Sequence, residues 1–215
     1  MDTTTTRGSV ALAEGSDVVG EVRFRSSERH SSHAMPAVEF LLRTAGWQPA
    51  DVEGYAVTTG PGSFTGLRVG LGTVQGLALA SGRPCLGVSA LDVLARRIVG
   101  SAEFLVALVD GHRDQVYAAL YDRAGRALGE PMIGLPRLLL PTFPARCAYV
   151  GDGALRYREE IAAADPSGLI PDRSLFLAGS LAPWAAARMA AGETGTAEAL
   201  RPLYLRAPDI RPSGP

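Results

Sequence analysis

TTGPGSFTGLRVGLGTVQGLALASG, residues 58–82, is the stretch that decides how this chain folds. The strand YAVTTG runs up to Thr59, and Gly60, Pro61 and Gly62 then make a sharp turn. A long helix from about Ser63 to Ser81 follows, and Gly82 closes it in the way glycine commonly ends helices. Ser63 or Thr65 caps this helix, a side-chain oxygen accepting from one of its unpaired N–H groups. Those N–H groups and the positive end of the helix dipole suit an anion, with Gly60, Gly62, Ser63 and Thr65 as its contacts. No lysine follows, so the stretch is not a P-loop. A capped strand-to-helix turn without any ligand accounts for the same residues.

The helix holds Gly66, Gly70, Gly72 and Gly76 in its interior. Each costs about 0.5–1 kcal/mol relative to alanine, so the positions need a reason. Arg68, Gly72, Gly76 and Ala80 recur every four residues and form a stripe almost without bulk, which lets a second backbone come close. That backbone belongs either to this chain or to a partner, and both readings can hold on different faces.

Outward from this stretch, strands and helices alternate. Ser9–Ala13 and Val18–Arg25 flank a Glu-Gly-Ser turn and read as a hairpin, the second strand alternating Val22 and Phe24 with Arg23 and Arg25. A polar stretch, Ser26 to Ser32, leads into a helix on which Met35, Val38, Leu41 and Leu42 recur at helical spacing, with Gly46 as its stop. After the Gly-rich helix comes the strand CLGVS. Ser89 then caps a helix through Leu91, Leu94 and Ile98. Beyond Gly100-Ser101 the order begins again: FLVALVDG and QVYAALYD as a second hairpin, a Pro- and Leu-rich connection, the strand AYVGDG, a helix from Ala154 to Ala163, and another after Ser180 ending at Gly192. The pattern predicts an α/β protein of two similar segments, 1–100 and 101–215. The tail RAPDIRPSGP is expected to fray.

Composition narrows the function. Apolar residues make up 47% and charged residues 20%, enough for a folded core. The net charge of −1 argues against a protein that grips nucleic acid alone. All 21 basic residues are arginine, which excludes catalysis by a lysine. Cys85 and Cys147 lie in apolar runs and are expected as buried free thiols. There is neither a signal-peptide pattern nor an uncharged apolar run of about 18–20 residues. A soluble, cytoplasmic protein is expected.

TTGPGSFTGLRVGLGTVQGLA resembles the signature segment of the TsaB (YeaZ) family. RGSVAL resembles the family's first hairpin and HSSHAMPAVEFLLRTAG its first helix; VSALDVLA, DGHRDQVYAALYD, VGDGALRY and PLYLR match in the same order along most of the chain. The resemblance implies a two-lobed actin-like ATPase (ASKHA) fold. It implies a non-catalytic subunit that pairs with a TsaD-type catalytic subunit and works with a TsaE-type ATPase in making threonylcarbamoyladenosine in tRNA. Homodimers when alone, contact with tRNA only through the complex, and no membrane are implied too. The interface would be formed by Met35, Val38, Glu39 and Leu42 of the first helix with Arg68, Val69, Gly72, Gln75, Gly76 and Ala80 of the second. No cofactor is expected, and a nucleotide only where the two subunits meet.

Departures from the catalytic relatives bear on two alternatives, an active small-molecule kinase or ATPase and a metalloprotease. The relatives have an H-x-x-x-H metal pair; here His30 and His33 stand three apart, and His112 lies elsewhere beside Asp110 and Asp114. A metal site needs a third ligand and an orienting shell. Exposed, solvated histidines are therefore expected, and no metal. Asp2-Thr3-Thr4 has threonine where an active ATPase wants glycine. VGDGALRY offers Gly151 and Gly153 but no adjacent glycine pair. Family members usually have an apolar strand before the Asp-Thr, which is missing here, so a late start or a truncation is expected.

Overall fold

A computed structural model describes residues 1–25 and 31–205. The expected polar stretch up to His30 and the expected frayed tail at 206–215 lie outside these residues. The first hairpin pairs β1 (Arg7–Glu14) with β2 (Asp17–Arg25), turning at Gly15 with φ 57°. Helix α1 (Ser31–Ala45) follows, then β3 (Tyr55–Gly60), α2 (Phe64–Ser81) and β4 (Cys85–Ser89), with β3 and β4 parallel. Ser63 is the N-cap of α2, its side chain accepting from the Gly66 N–H, and Gly82 ends the helix at φ 65°. Both ends therefore lie where the local sequence signals put them. Helix α3 (Ala90–Arg96) is capped by Ser89.

The second sheet consists of β5 (Phe104–Asp110), β6 (Val116–Asp122), β7 (Met132–Gly134) and β8 (Ala148–Val150), ordered β7-β6-β5-β8. β5 and β6 form the second hairpin, and β8 joins β5 in parallel. A short α4 (Pro136–Leu139) lies in the Pro- and Leu-rich connection. The helix expected at 154–163 is two pieces, α5 (Asp152–Arg156) and α6 (Arg158–Ala164). They break at Tyr157, whose φ of −105° and ψ of 35° leave the helical region. Helix α7 (Ala178–Ala190) ends ahead of Gly192 at φ 89°.

Met1 and Asp2 stand between the first hairpin and β3. Asp2 and Ser9 exchange both backbone hydrogen bonds at 2.8 Å, the Met1 ammonium donates to the Ala56 carbonyl at 2.7 Å, and the Thr58 N–H donates to the Met1 carbonyl at 3.2 Å. With these two residues counted as a strand, the first half runs β2, β1, Met1–Asp2, β3, β4. Two antiparallel neighbours on one side and a parallel one on the other is also the order around β5. Each half thus sets a hairpin antiparallel to a strand that is paired in parallel on its other side.

Three apolar clusters hold the layers. Leu91 and Leu94 of α3, Ile98 just beyond it and Leu181 of α7 pack with β4, β5, β6 and β8. Ala34, Ala37 and Leu41 of α1 pack with Leu71, Val74 and Ala78 of α2 and Val57 of β3. Val106, Leu108, Tyr149, Phe143 and Ile161 form the third. Residues after 177 also return to the first segment. α7 packs on β1 and β2, Gly195 bridges Cys85 of β4, and the Leu203 N–H donates to the Thr59 carbonyl at 2.7 Å. Cys85 and Cys147 are both buried and unpaired. No helix among the described residues is long and apolar enough to cross a membrane.

Candidate partner-binding face and cleft

The glycines of α2 divide between two faces. A Cβ on Gly70 would lie 2.5 Å from the Thr3 hydroxyl oxygen and 3.3 Å from Cγ2 of Val57. The same hydroxyl donates to the Gly66 carbonyl at 2.8 Å. Gly66 and Gly70 are buried, and Gly70 lets α2 seat on the N-terminal segment. A Cβ on Gly72 or Gly76 would meet nothing within 4 Å. Both are exposed, as are Arg68 and Ala80. The stripe read from the sequence is an open surface.

Large apolar side chains are exposed on both α1 and α2. Leu79 is 60% exposed, Phe64 52%, Phe40 49% and Met35 38%. Phe64 stacks on Tyr204 with ring centres 5.7 Å apart, and the Arg68 guanidinium lies 5.4 Å from the Phe64 ring centre. Of the other expected interface residues, Glu39 is exposed, and Val38, Leu42 and Val69 are half-buried, Val38 and Val69 leaning on the core beneath the two helices. Gln75 is turned inward: its amide donates to the carbonyls of Ala197 (3.1 Å) and Leu200 (3.3 Å), tying α2 to the returning C-terminal segment. Phe40, Leu79 and the Phe64–Tyr204 stack were absent from the sequence reading. The expected apolar face of α1 is also shifted, since Ala34, Ala37 and Leu41 are buried and Met35 is not.

The turn before α2 is occupied by the chain itself. The Ser63 N–H donates to the Thr4 carbonyl at 2.7 Å, and a Cβ on Gly62 would fall 2.2 Å from that oxygen. Gly60 has φ 109° and packs against the Leu203 carbonyl. Ser63 therefore has no free N–H for an anion, while Thr65 is exposed.

Within the first sheet, between β1 and β3, Asp2 is fully buried. Its Oδ1 accepts from the Thr4 N–H (3.0 Å), the Thr4 hydroxyl (2.7 Å) and the Thr58 hydroxyl (2.7 Å), while Oδ2 has no partner. Burial pushes the carboxyl above the usual aspartate range against these hydrogen bonds. The adjoining cavity, lined by Thr4, Thr5, Asp152, Leu94, Val109 and Leu177 among others, has a volume of about 10 Å³, room for a single water. Gly151 and Gly153 answer to packing: a Cβ on Gly151 would lie 2.0 Å from the Leu108 carbonyl oxygen, and one on Gly153 3.0 Å from it.

His33 is exposed, its ring 5.3 Å from that of Phe24. His112 projects from the β5–β6 turn at φ 57°, its Nδ1 3.9 Å from Asp110. His30 lies outside the described residues. Among the described residues, no three His, Cys, Asp or Glu side chains are placed to share a metal.

The chain resembles known proteins along most of its length. The family described as TsaD, tRNA N6-adenosine threonylcarbamoyltransferase, matches residues 20–162. The tRNA threonylcarbamoyladenosine biosynthesis protein TsaB of Escherichia coli (strain K12) is 32% identical over 219 residues, 96% of this chain and 93% of that protein. A tRNA N6-adenosine threonylcarbamoyltransferase of Maricaulis maris (strain MCS10) is 34% identical over 152 residues, but these are 63% of this chain and 40% of that protein. The solved structure of YeaZ from Pseudomonas aeruginosa superposes with a TM-score of 0.80 at 32% identity, over 95% of this chain and 97% of that one. The transferase is matched in part and TsaB and YeaZ from end to end, so this chain belongs to the TsaB (YeaZ) family.

Proposed function

We propose that this chain serves tRNA N6-threonylcarbamoyladenosine biosynthesis as a non-catalytic subunit. Its partner is a TsaD-type catalytic subunit bound through α1 and α2, and a TsaE-type ATPase acts with the pair. The protein is cytoplasmic, reaches tRNA through that complex, and self-associates through the same helices when alone. Its two halves are the lobes of an actin-like ATPase fold, a reading supported by their shared strand order. The observation that carries the proposal is the open Gly72–Gly76 stripe, with Phe64 and Leu79 exposed on the same helix. A helix with an uncovered, low-bulk stripe beside exposed apolar side chains is built to receive another helix, and two helices from each partner make a four-helix contact.

The cleft supports the non-catalytic half of the reading. A cavity of about 10 Å³ leaves no room for a nucleotide, and no lysine is available to clamp a phosphate. Any nucleotide would sit where the subunits meet. The test is depletion of this protein in its own cells, followed by mass spectrometry of tRNA nucleosides. Loss of N6-threonylcarbamoyladenosine, restored by the intact chain and by an Asp2→Asn variant, is the expected result. Unchanged modification on depletion overturns the function, and loss of rescue by a folded Asp2→Asn variant overturns the non-catalytic assignment.

A further inference from the structure

Three arginines from separate segments converge on the loop that enters α7. Arg23 of β2 holds its guanidinium carbon 5.5 Å from the centre of the Phe176 ring. Arg97, following α3, donates from Nη1 to the Phe176 carbonyl at 3.2 Å and to the Ser180 hydroxyl at 2.5 Å. Arg173 donates from Nε to the Arg97 carbonyl at 3.2 Å and from Nη1 to the Asp172 carbonyl at 3.1 Å.

The negative charge in this cluster is Glu21, and it is already engaged. One of its oxygens accepts from Arg23 Nε at 2.8 Å, and the other accepts from the Gly179 N–H at 3.1 Å. Among the described residues neither Arg97 nor Arg173 has a carboxylate within ion-pair distance, and Asp172 enters through its carbonyl. Nε of Arg97 is buried with no hydrogen-bond partner. Burial weighs against the charge of Arg97, Glu21 favours it, and Arg23 and Arg173 oppose it. Arginine keeps its proton in proteins. Three positive groups against one negative thus stand together on a chain whose net charge is −1.

Guanidinium forks match the oxygens of a phosphate, and an anion placed among them would relieve the mutual repulsion. We infer that Arg23, Arg97 and Arg173 form a binding site for a phosphate group, supplied by a small phosphate compound or by the backbone of an RNA. The site lies away from the α1–α2 face. Glu21 and Arg23 alternate along β2 with Val22 and Phe24, which pack in the cluster under α1, so the arginine face is the one turned to α7. A partner seated on α1 and α2 leaves it accessible.

The test follows the Nε–H resonances of Arg97 and Arg173 by NMR. The intact chain is titrated with inorganic phosphate at constant ionic strength and, separately, with a short RNA hairpin. Both resonances are expected to move and saturate with at least one probe. Exposed Arg173→Gln, and Arg23→Gln as a second variant, should weaken that binding about tenfold or more, while Arg126→Gln in the β6–β7 connection should not. A response to phosphate alone assigns the site to small phosphate compounds, and a response to RNA alone assigns it to a nucleic-acid backbone. Resonances that stay put with both probes, or shifts of equal affinity in the wild type and both variants, overturn the site.

Discussion

Replacing the glycines of α2 one face at a time separates its two surfaces. Gly72 and Gly76 have nothing within 4 Å of a would-be Cβ, so alanine at both sites removes only the helix penalty, about 0.5–1 kcal/mol each. The double variant should gain about 1–2 kcal/mol, and a domain of this size melts about 2–4 °C higher per kcal/mol. Leucine at 76 should leave folding equally intact but hold a partner backbone off. Gly70→Ala is the internal contrast: its Cβ would sit 2.5 Å from the Thr3 oxygen, and overpacking of this kind costs about 1–3 kcal/mol. Thermal melting should therefore rise for Gly72→Ala/Gly76→Ala, stay level or rise for Gly76→Leu, and fall for Gly70→Ala. In a calorimetric titration with the TsaD-type subunit, Gly76→Leu should lose about thirtyfold or more in affinity, the loss given by a 2 kcal/mol contact. A Gly76→Leu protein that melts low places the stripe in the core. One that melts normally and binds as tightly as the wild type removes the interface.

Three other perturbations have outcomes fixed by buried groups. Asp2 holds its proton more firmly when folded than when unfolded, because burial raises its pKa; the stability this gives is full below the unfolded value near 3.8 and is lost as pH rises through the folded one. Asp2→Asn keeps an oxygen for the three donors, so its melting advantage over wild type should grow from about pH 4 to about pH 8, and an equal difference at both refutes the account. Asp165→Ala strands the N–H groups of Arg146 and Cys147 and the Tyr149 hydroxyl, and urea unfolding should show a loss of about 3 kcal/mol or more, against under about 1 if the carboxylate were only decorative. Burial pushes the Cys147 thiol up to about 11 and also raises Cys85; a disulfide-exchange reagent at pH 8 should leave both unreacted until denaturant is added, and rapid reaction of the native protein would contradict the packing.

What could be read before the structure, and what could not, follows from the range of each interaction. Ser63 as cap, Gly82 as stop, Ser89 as cap and both hairpins depend on residues within a turn of each other, and all lie where local chemistry puts them. The α1 face failed locally because Ala34 and Ala37, small residues with weak hydropathic signal, carry the burial while the larger Met35 is exposed. β7 has three residues and no periodicity to find. The most consequential miss is of long range. Thr3 and Thr4 sit under α2, Gln75 reaches Ala197 and Leu200, and Tyr204 stacks on Phe64. Separations from 63 residues for Thr3 and Gly66 to 140 for Phe64 and Tyr204 leave no trace in a window of about 11–18 residues. The same gap explains why the glycine spacing announced a close approach without naming its partner. Four residues separate Gly66 from Gly70 and Gly72 from Gly76 alike, and it is the seating of α2 on residues 1–4 and β3 that decides which pair is spent inside the molecule and which is left open at its surface.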